Sequence, residues 1–583
     1  MKLLINPRFF TPSCKTTRFS LSQNPFKFSP LFAPSSRNQK LGTFRFRHPC
    51  YSLSRSFSIQ ATMCSSPPSI RVKDHIDLTD KEKLIFNRLL EVLRHFNLQT
   101  QLRVAGGWVR DKLLGKECYD IDIALNDMLG KEFCDKVNEY LSSTGEVTQG
   151  VGVIQSNPDQ SKHLETARMR LFDVWIDFVN LRSEDYSENS RIPTMRFGTA
   201  EEDAYRRDLT INSLFYNINS SSVEDFTRRG IADLKAGKIV TPLPPKQTFL
   251  DDPLRVLRAI RFGARFGFVL DEELKIAAAD NDVRDALADK ISKERIGHEI
   301  DLMISGNEPV IAMTYVSELQ LFWTVFSLPS AVDPPTLEGC ERLCVAYMDT
   351  AWRFLQSVGS FSFNDDQRRL CLYAALLLPF RNTVYKDTKG KQIPVVSYIF
   401  RNSLKLKSSD SETVMNLHIA AQKFLSLIPS LISDDNSQIE AVKKKITIDV
   451  PVASKLRILT GLLLREIKEF WRAALLLSLL LYPEDIGLSK NLSIEDTELN
   501  ERRELYHRIE TAILEIGLDK VWDLKPLVNG KEIMNILQLK TGGPIVREWQ
   551  QKLLEWQLAH PSGSAEDCVD WMRQTQSKRA RTE

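Results

Sequence analysis

The triplet Asp120-Ile121-Asp122, inside Tyr119 to Leu125 (YDIDIAL), puts two carboxylates two residues apart with an aliphatic residue between them. Side chains alternate across a strand, so Asp120 and Asp122 share one face while Ile121, Ile123 and Leu125 enter a core on the other. Carboxylates that close repel one another unless a cation shares them. Oxygen ligands select a hard divalent ion, with Mg2+ the natural occupant. Asp177, between Ile176 and Phe178 in DVWIDFVNL (173–181), sits opposite apolar neighbours in the same way and is a candidate to complete the site. Solvated edge-strand acids are the plain alternative, a stronger one for Asp177 than for the pair.

Signals for phosphate lie just upstream, in GGWVRDKLLGKECYDIDIAL (106–125). Paired glycines between a strand and a helix, Gly106 and Gly107, let backbone N–H groups approach an anion, and a helix N-terminus adds a favourable dipole. Arg110 is then placed to meet a triphosphate. A lone Gly-Gly is only a tight turn, and the carboxylate strand that follows gives it weight. Further on, Arg255, Arg258, Arg261 and Arg265 form an arginine stripe beside an apolar one of Leu254, Leu257, Ile260 and Ala264. Such a stripe is usually a solvated face; beside a metal site and a phosphate loop it reads as nucleotide-facing.

Elements able to hold these groups are visible in the pattern. Residues 80–97 carry Leu84, Ile85, Leu89, Leu90, Leu93 and Phe96 at helical spacing. Leu102 to Ala105 predicts a strand, Trp108 to Leu114 a short helix ending at Gly115, Tyr119 to Leu125 a second strand and Asp173 to Leu181 a third. From about Asp251 the pattern is almost entirely helical, broken near Ser327 to Pro335, Pro379 to Pro394 and Ser433 to Ser437. No repeat of fixed period occurs. The fold class is therefore α+β: a small mixed β-sheet head followed by a long all-α remainder.

The 583 residues are too many for one ordinary core, so two to four domains are expected. The strongly apolar run Ala473 to Leu481 falls short of the roughly 20 residues of a membrane span and reads as a buried helix. Nine scattered cysteines, the closest pair being Cys340 and Cys344, indicate neither a disulfide framework nor a zinc site. The net charge of +3 hides an asymmetry: residues 1–62 contain ten Lys and Arg and no acid, and are rich in Ser, Phe and Pro. That is the composition of an organelle transit peptide, with a disordered basic arm as the alternative. From Met63 onward the balance is 68 basic against 75 acidic residues, so nucleic-acid binding must come from a local basic patch.

Taken in order, GG, VRD and a DxD strand resemble the active-site motif of the polymerase-β-like nucleotidyltransferase superfamily, in its branch of class II tRNA nucleotidyltransferases (CCA-adding enzymes) and bacterial-type poly(A) polymerases. Arg206-Arg207-Asp208 in RRDLTINSLFYN and Asp251-Asp252-Pro253-Leu254-Arg255 in DDPLRVLRAIRFGARFGF are similar to the branch's next two motifs, and SKERIGHEI (292–300) to its following helix. The resemblance covers roughly residues 100–305. It departs where the family's fourth motif often begins with Glu: here Asp251 shortens the reach, which places the base-reading role on Asp252.

The resemblance implies a eukaryotic, plant-type enzyme that adds C, C and A to tRNA 3′ ends from CTP and ATP by two-metal in-line transfer with release of pyrophosphate. Asp120 and Asp122, with Asp177, would hold Mg2+. Gly106, Gly107, Arg110, Arg206, Arg207, Asp208, Asp252, Arg255, Arg258 and Arg261 would bind nucleotide. Cytosine and adenine both present an exocyclic amine beside a ring-nitrogen acceptor; an Asp252 carboxylate and an Arg255 guanidinium fit that pattern and reject the carbonyl and ring N–H of uracil and guanine. Asp208 can accept from a ribose 2′-OH. The implied layout is leader 1–62, catalytic head 78–245, nucleotide-selecting neck 246–305, helical body 306–440, tRNA-binding tail 441–570 and basic end 571–583. The tRNA would be gripped at acceptor stem and elbow, with Lys443-Lys444-Lys445 as one candidate; no membrane and no stable protein partner are expected. The leader points to mitochondrion or chloroplast, and a start at Met63, with the basic run 578–581, to cytoplasm and nucleus. The rivals are a poly(A) polymerase of the same branch and a non-catalytic RNA-binding homologue.

Overall fold

The computed structural model describes residues 71–154, 166–185, 194–359, 363–432, 446–483 and 495–579. The leader 1–62, Met63, Lys443 to Lys445, and Ala580 and Arg581 of the basic end lie outside the described residues.

Helix α1 (Asp80–His95) starts where the sequence places it, because Thr79 and Glu82 form a reciprocal capping box. Glu82 has a second task. Buried, it accepts from Trp108 Nε1 at 3.0 Å and Lys112 Nζ at 2.7 Å, tying α1 to α2 (Gly107–Leu113). The sheet contains β1 (Leu102–Ala105), β2 (Ile121–Leu125), β3 (Val151–Ile154), β4 (Thr166–Leu171), β5 (Val174–Asn180), β8 (Phe215–Asn217) and β9 (Ser222–Glu224), in the order β3-β4-β5-β2-β1-β8-β9. The intervening β6 (Arg182–Asp185) and β7 (Thr194–Phe197) form a separate hairpin. Only β2 and β5 run parallel, which makes the sheet mixed.

One face of this sheet is closed by helix α3 (Gly130–Ser143), whose Phe133 meets Phe178 of β5 with ring centroids 5.3 Å apart. Ile121, Ile123, Ile176, Phe178, Ala167 and Met169 point into that layer and are buried. The period-2 alternation therefore forces their neighbours Asp122, Asp177 and Arg168 onto the opposite, open face. Strand β2 begins at Ile121, so Asp120 stands at its mouth rather than inside it.

After the sheet come α4 (Ala200–Tyr205), α5 (Gly230–Ala236), α6 (Pro245–Asp251), α7 (Leu254–Phe266), α8 (Glu272–Ala278), α9 (Asn281–Lys290) and α10 (Lys293–Ile304). The predicted apolar stripe of α7 is buried as a unit: Leu254, Leu257, Ile260 and Ala264 all face the core. Beyond α10 the described residues are mostly helical, including Cys340–Val358, Ser408–Ile432, Val452–Ile467 and Pro544–Ala559. The Pro379 to Pro394 break folds as a small hairpin of Val384–Lys386 and Gln392–Pro394. Ala473 to Leu480 lies in the buried helix Trp471–Leu480, and among the described residues no helix is long and apolar enough to cross a membrane. The six described cysteines are unpaired.

Candidate active site

Parallel pairing sets Asp122 of β2 directly opposite Asp177 of β5. With Asp120 they offer carboxylate oxygens that all lie within 4.8 Å of one another. Burial pushes the Asp122 carboxyl up to about 6, and the neighbouring charges of Asp120 and Asp177 add to the effect. Burial also raises Asp177, against the pull of Arg168, which pairs with it at 2.8 Å. Three mutually repelling acids on an otherwise ordered sheet are a donor set for a divalent cation, all oxygen and suited to Mg2+ or a similar hard ion.

Beside this cluster lies a cavity of about 640 Å³. Gly106, Gly107, Arg110, Asp122, Arg206, Arg207, Asp208, Asp252, Arg255 and Arg258 all line it, although they come from β2, the β1–α2 turn, α2, the α4–β8 connection, the α6–α7 junction and α7. Eight arginines against five carboxylates make its lining net positive, as a triphosphate requires. Arg261 is not in the lining; it turns to Glu299 of α10 at 2.6 Å. Asp120 and Asp177 border the cavity only through the carboxylate cluster they share with Asp122.

Each cationic group is held by a specific partner. Gly106 has φ +67°, and a Cβ there would fall 2.7 Å from Arg207 Nη1, so the turn needs glycine both for its backbone and for the guanidinium packed on it. Arg110 pairs with Asp111 at 2.8 Å, donates to Asn212 and lies over the rings of Phe262 and Phe266, 5.0 and 4.7 Å from their centroids. Asp203, 1% exposed, takes Arg206 on one oxygen and Arg207 on the other. Burial alone would raise its carboxyl; the two guanidiniums overcome that and hold it at about 2. Asp208 follows the same logic: burial opposes ionisation, but Arg258, Asn212 and Arg255 bring it to about 2. Its oxygens accept from Leu209 N, Asn212 Nδ2 and two Arg258 nitrogens, so a 2′-OH contact requires one of these donors to give way.

Asp252 and Arg255 do not pair with each other through their side chains. Asp252 accepts from Leu254 N at 3.2 Å and from Arg295 Nη2 at 3.1 Å, which leaves lone pairs on both oxygens. Arg255 donates to the Arg206 carbonyl at 2.7 Å and lies 3.7 Å from Glu184. Sequence reasoning missed Arg182, Glu184, Asp203, Asn212 and Arg295 as lining residues. Asp203 had a signal, an acid on α4 three and four positions before two arginines at the end of that helix; Glu184 and Arg182, on a four-residue strand, had none.

Comparison with known proteins fits this geometry. The Poly A polymerase head domain family matches residues 102–240. The tRNA nucleotidyltransferase cca2 of Schizosaccharomyces pombe is 34% identical, over 85% of this chain and 98% of its own. The mitochondrial CCA tRNA nucleotidyltransferase of Saccharomyces cerevisiae is also 34% identical, over 85% of this chain and 93% of its own. The chain belongs to the tRNA nucleotidyltransferase family. The fold agrees: the Bacillus stearothermophilus CCA-adding enzyme, solved in complex with CTP, superposes with TM-score 0.55 at 17% identity, covering 87% of this chain and 100% of that one. The Thermotoga maritima CCA-adding enzyme, solved with a tRNA, gives 0.52 at 19% identity, covering 85% and 95%. In this tRNA nucleotidyltransferase the acid cluster and the arginine-lined cavity form one continuous site on the open face of the sheet.

Proposed function

We propose that this chain adds C, C and A to tRNA 3′ ends without a nucleic-acid template, using CTP and ATP. The observation that carries it is the one cavity lined by Asp252 and Arg255 together with Arg110, Arg206 and Arg207, beside three clustered carboxylates. Asp120, Asp122 and Asp177 hold divalent metal, Mg2+ by the chemistry of the donor set. When bound there, the metal supplies Lewis-acid stabilisation of phosphoryl charge and lowers the pKa of the attacking hydroxyl. Arg206, Arg207 and Arg110 neutralise and align the triphosphate for attack by the primer 3′-OH at the α-phosphorus, and pyrophosphate leaves. Asp252 accepts from the exocyclic amine of C or A while Arg255 donates to the ring nitrogen. U and G would leave the half-buried Asp252 and the buried Arg255 facing like partners. Arg258 and Asp208 complete the ribose side, and Arg261 acts from behind through Glu299.

The layout that fits is a catalytic head at 78–245, a nucleotide-selecting neck at 246–305, a body at 306–440 and a tail at 441–570, the last two gripping tRNA by shape and phosphate contacts. The names of relatives that align along 85% of this chain favour tRNA over a poly(A) product. The acid-free leader 1–62 serves import into the mitochondrion, as the name of the Saccharomyces cerevisiae relative supports. Import into the chloroplast, and a cytoplasmic and nuclear form from Met63, rest on composition alone.

Incubating the purified protein with a tRNA that ends before its CCA, plus CTP and ATP, tests the reading. A product three nucleotides longer ending in CCA is expected. A long A tail identifies a poly(A) polymerase, and no extension leaves the RNA-binding homologue. A reporter carrying residues 1–62 tests the leader separately.

A further inference from the structure

Strand alternation that puts Asp177 on the open face puts Trp175 there too. The two are two residues apart on β5, roughly 6.6 Å along the strand. Trp175 is 51% exposed, unusual for the largest apolar side chain two positions from a catalytic acid. Register pairs Ile121 with Ile176, which sets Trp175 level with Asp120. On the neighbouring strand, Arg168 faces Asp177 and Arg170 faces Trp175. The Arg168 guanidinium stands 5.7 Å from the Trp175 ring centroid while its Nε contacts Asp177 at 2.8 Å. The outcome is an exposed indole flanked by two half-exposed arginines.

Position along the strands decides which reactant this patch meets. The nucleotide cavity is lined by Ala124 of β2, Val179 of β5 and Thr166 of β4, the far ends of those strands. The Asp122–Asp177 pair lies in the middle, and Asp120 with Trp175 at the other end. The acids therefore stand between the incoming nucleotide and Trp175. In-line transfer needs the attacking hydroxyl on the side of the α-phosphate away from the leaving pyrophosphate. A flat π-face with cations beside it is what binds single-stranded nucleic acid irrespective of base, and the primer end changes base at each addition.

We propose that Trp175 is the stacking platform for the 3′-terminal base of the RNA primer, with Arg168 orienting the indole and Arg170 beside it near the primer backbone. The proposal rests on the tRNA-extending function above. Stacking by Trp175 holds the terminal ribose over Asp120 and Asp177 whichever base it carries. That tolerance suits a site that must accept the unextended end, then C, then C.

The test uses the full-length protein and a tRNA lacking CCA, with 2-aminopurine as its last base. Binding to the wild type should quench the 2-aminopurine fluorescence, and Trp175→Ala should abolish the quench. Loss of one stacked base should raise the KM for this primer by about 5- to 150-fold. The KM for CTP and the melting temperature should stay within twofold and within a degree or so of wild type, respectively, and Trp175→Phe should recover most of the quench and of the primer affinity. An unchanged quench and primer KM in Trp175→Ala, in a protein whose wild type does extend tRNA, overturns the platform alone. Failure of the wild type to extend tRNA overturns the functional reading instead. A rise in the KM for CTP equal to that for primer would place Trp175 in the nucleotide site and contradict the proposal.

Discussion

Replacing Asp203 by Asn should disable the arginine pair proposed to grip the triphosphate while leaving Arg206 and Arg207 themselves in place. In the native site the carboxylate accepts from Arg206 at 2.8 and 2.5 Å and from Arg207 at 3.0 and 2.7 Å, with Arg182 N at 3.2 Å. An amide keeps one acceptor and turns an NH2 toward the other guanidinium, so one arginine loses its anchor and meets a donor. Breaking a buried pair costs about 3–5 kcal/mol. Arg206 keeps Glu184 at 3.0 Å and Arg207 keeps the Asn212 carbonyl at 3.2 Å, so the lower end applies. Linkage gives a similar figure: a carboxyl at about 2 in the fold against its ordinary 3.8 corresponds to about 2.5 kcal/mol. Because the folded value is depressed, that stability is present above pH 3.8 and is lost as pH falls toward 2. Calorimetry should show a melting temperature lower by several degrees at pH 7. Steady-state kinetics should show the KM for CTP and ATP raised tenfold or more, with primer affinity little changed. An Asp203→Asn protein with native melting temperature and native nucleotide KM would refute the clamp.

Asp122→Asn should reduce incorporation by at least a hundredfold while leaving tRNA binding within a fewfold of wild type, as gel shift and single-turnover assays would record; near-normal turnover would mean the metal centre lies elsewhere. Gly106→Ala should cost about 1–3 kcal/mol and raise nucleotide KM, because φ +67° is strained for alanine and its Cβ meets Arg207; a silent substitution would show that the turn does not position that arginine. His418, buried with Nε2 on the Ala374 carbonyl at 2.7 Å, is lowered by that burial to about 4. Its contribution is therefore present above pH 6.5 and falls away below it, on the order of 2 kcal/mol by pH 5, so the gap in melting temperature between wild type and His418→Gln should narrow from pH 7 to pH 5.

The parts of the head that the sequence revealed are those whose burial follows a strict period. β1, β2, β5, α1 and α7 each have aliphatic residues at spacing two or at helical spacing, and the three strands and α1 each lie within a residue or two of their predicted place. β8 and β9 are three residues long, too short for any period; β8 exists because β1 offers it an edge, and β9 because β8 does in turn. β4 (TARMRL) alternates too, with Ala167, Met169 and Leu171 buried and Arg168 and Arg170 exposed between them, so its period is legible although no strand is predicted there. Among the site residues, motif spacing brought out the groups that face the cavity. It could not bring out Glu184, which sits beside Arg182, Arg206 and Arg255 only because a separate hairpin folds under α4 and α7. Nor could it show that Asp252 leans on Arg295, 43 positions away.

Selection of C and A by protein side chains is tested most directly by measuring kcat/KM for CTP, ATP, UTP and GTP on a tRNA lacking CCA, for the wild type and for Asp252→Ala and Arg255→Ala, alongside melting temperature. Each lost base contact should be worth about 1–3 kcal/mol of discrimination, so UTP and GTP should gain on CTP and ATP by roughly 5- to 150-fold in either variant. Unchanged base preference with a lowered melting temperature would mean that Asp252 and Arg255 only brace α7 against Arg295 and Glu184, and would contradict selection by these side chains.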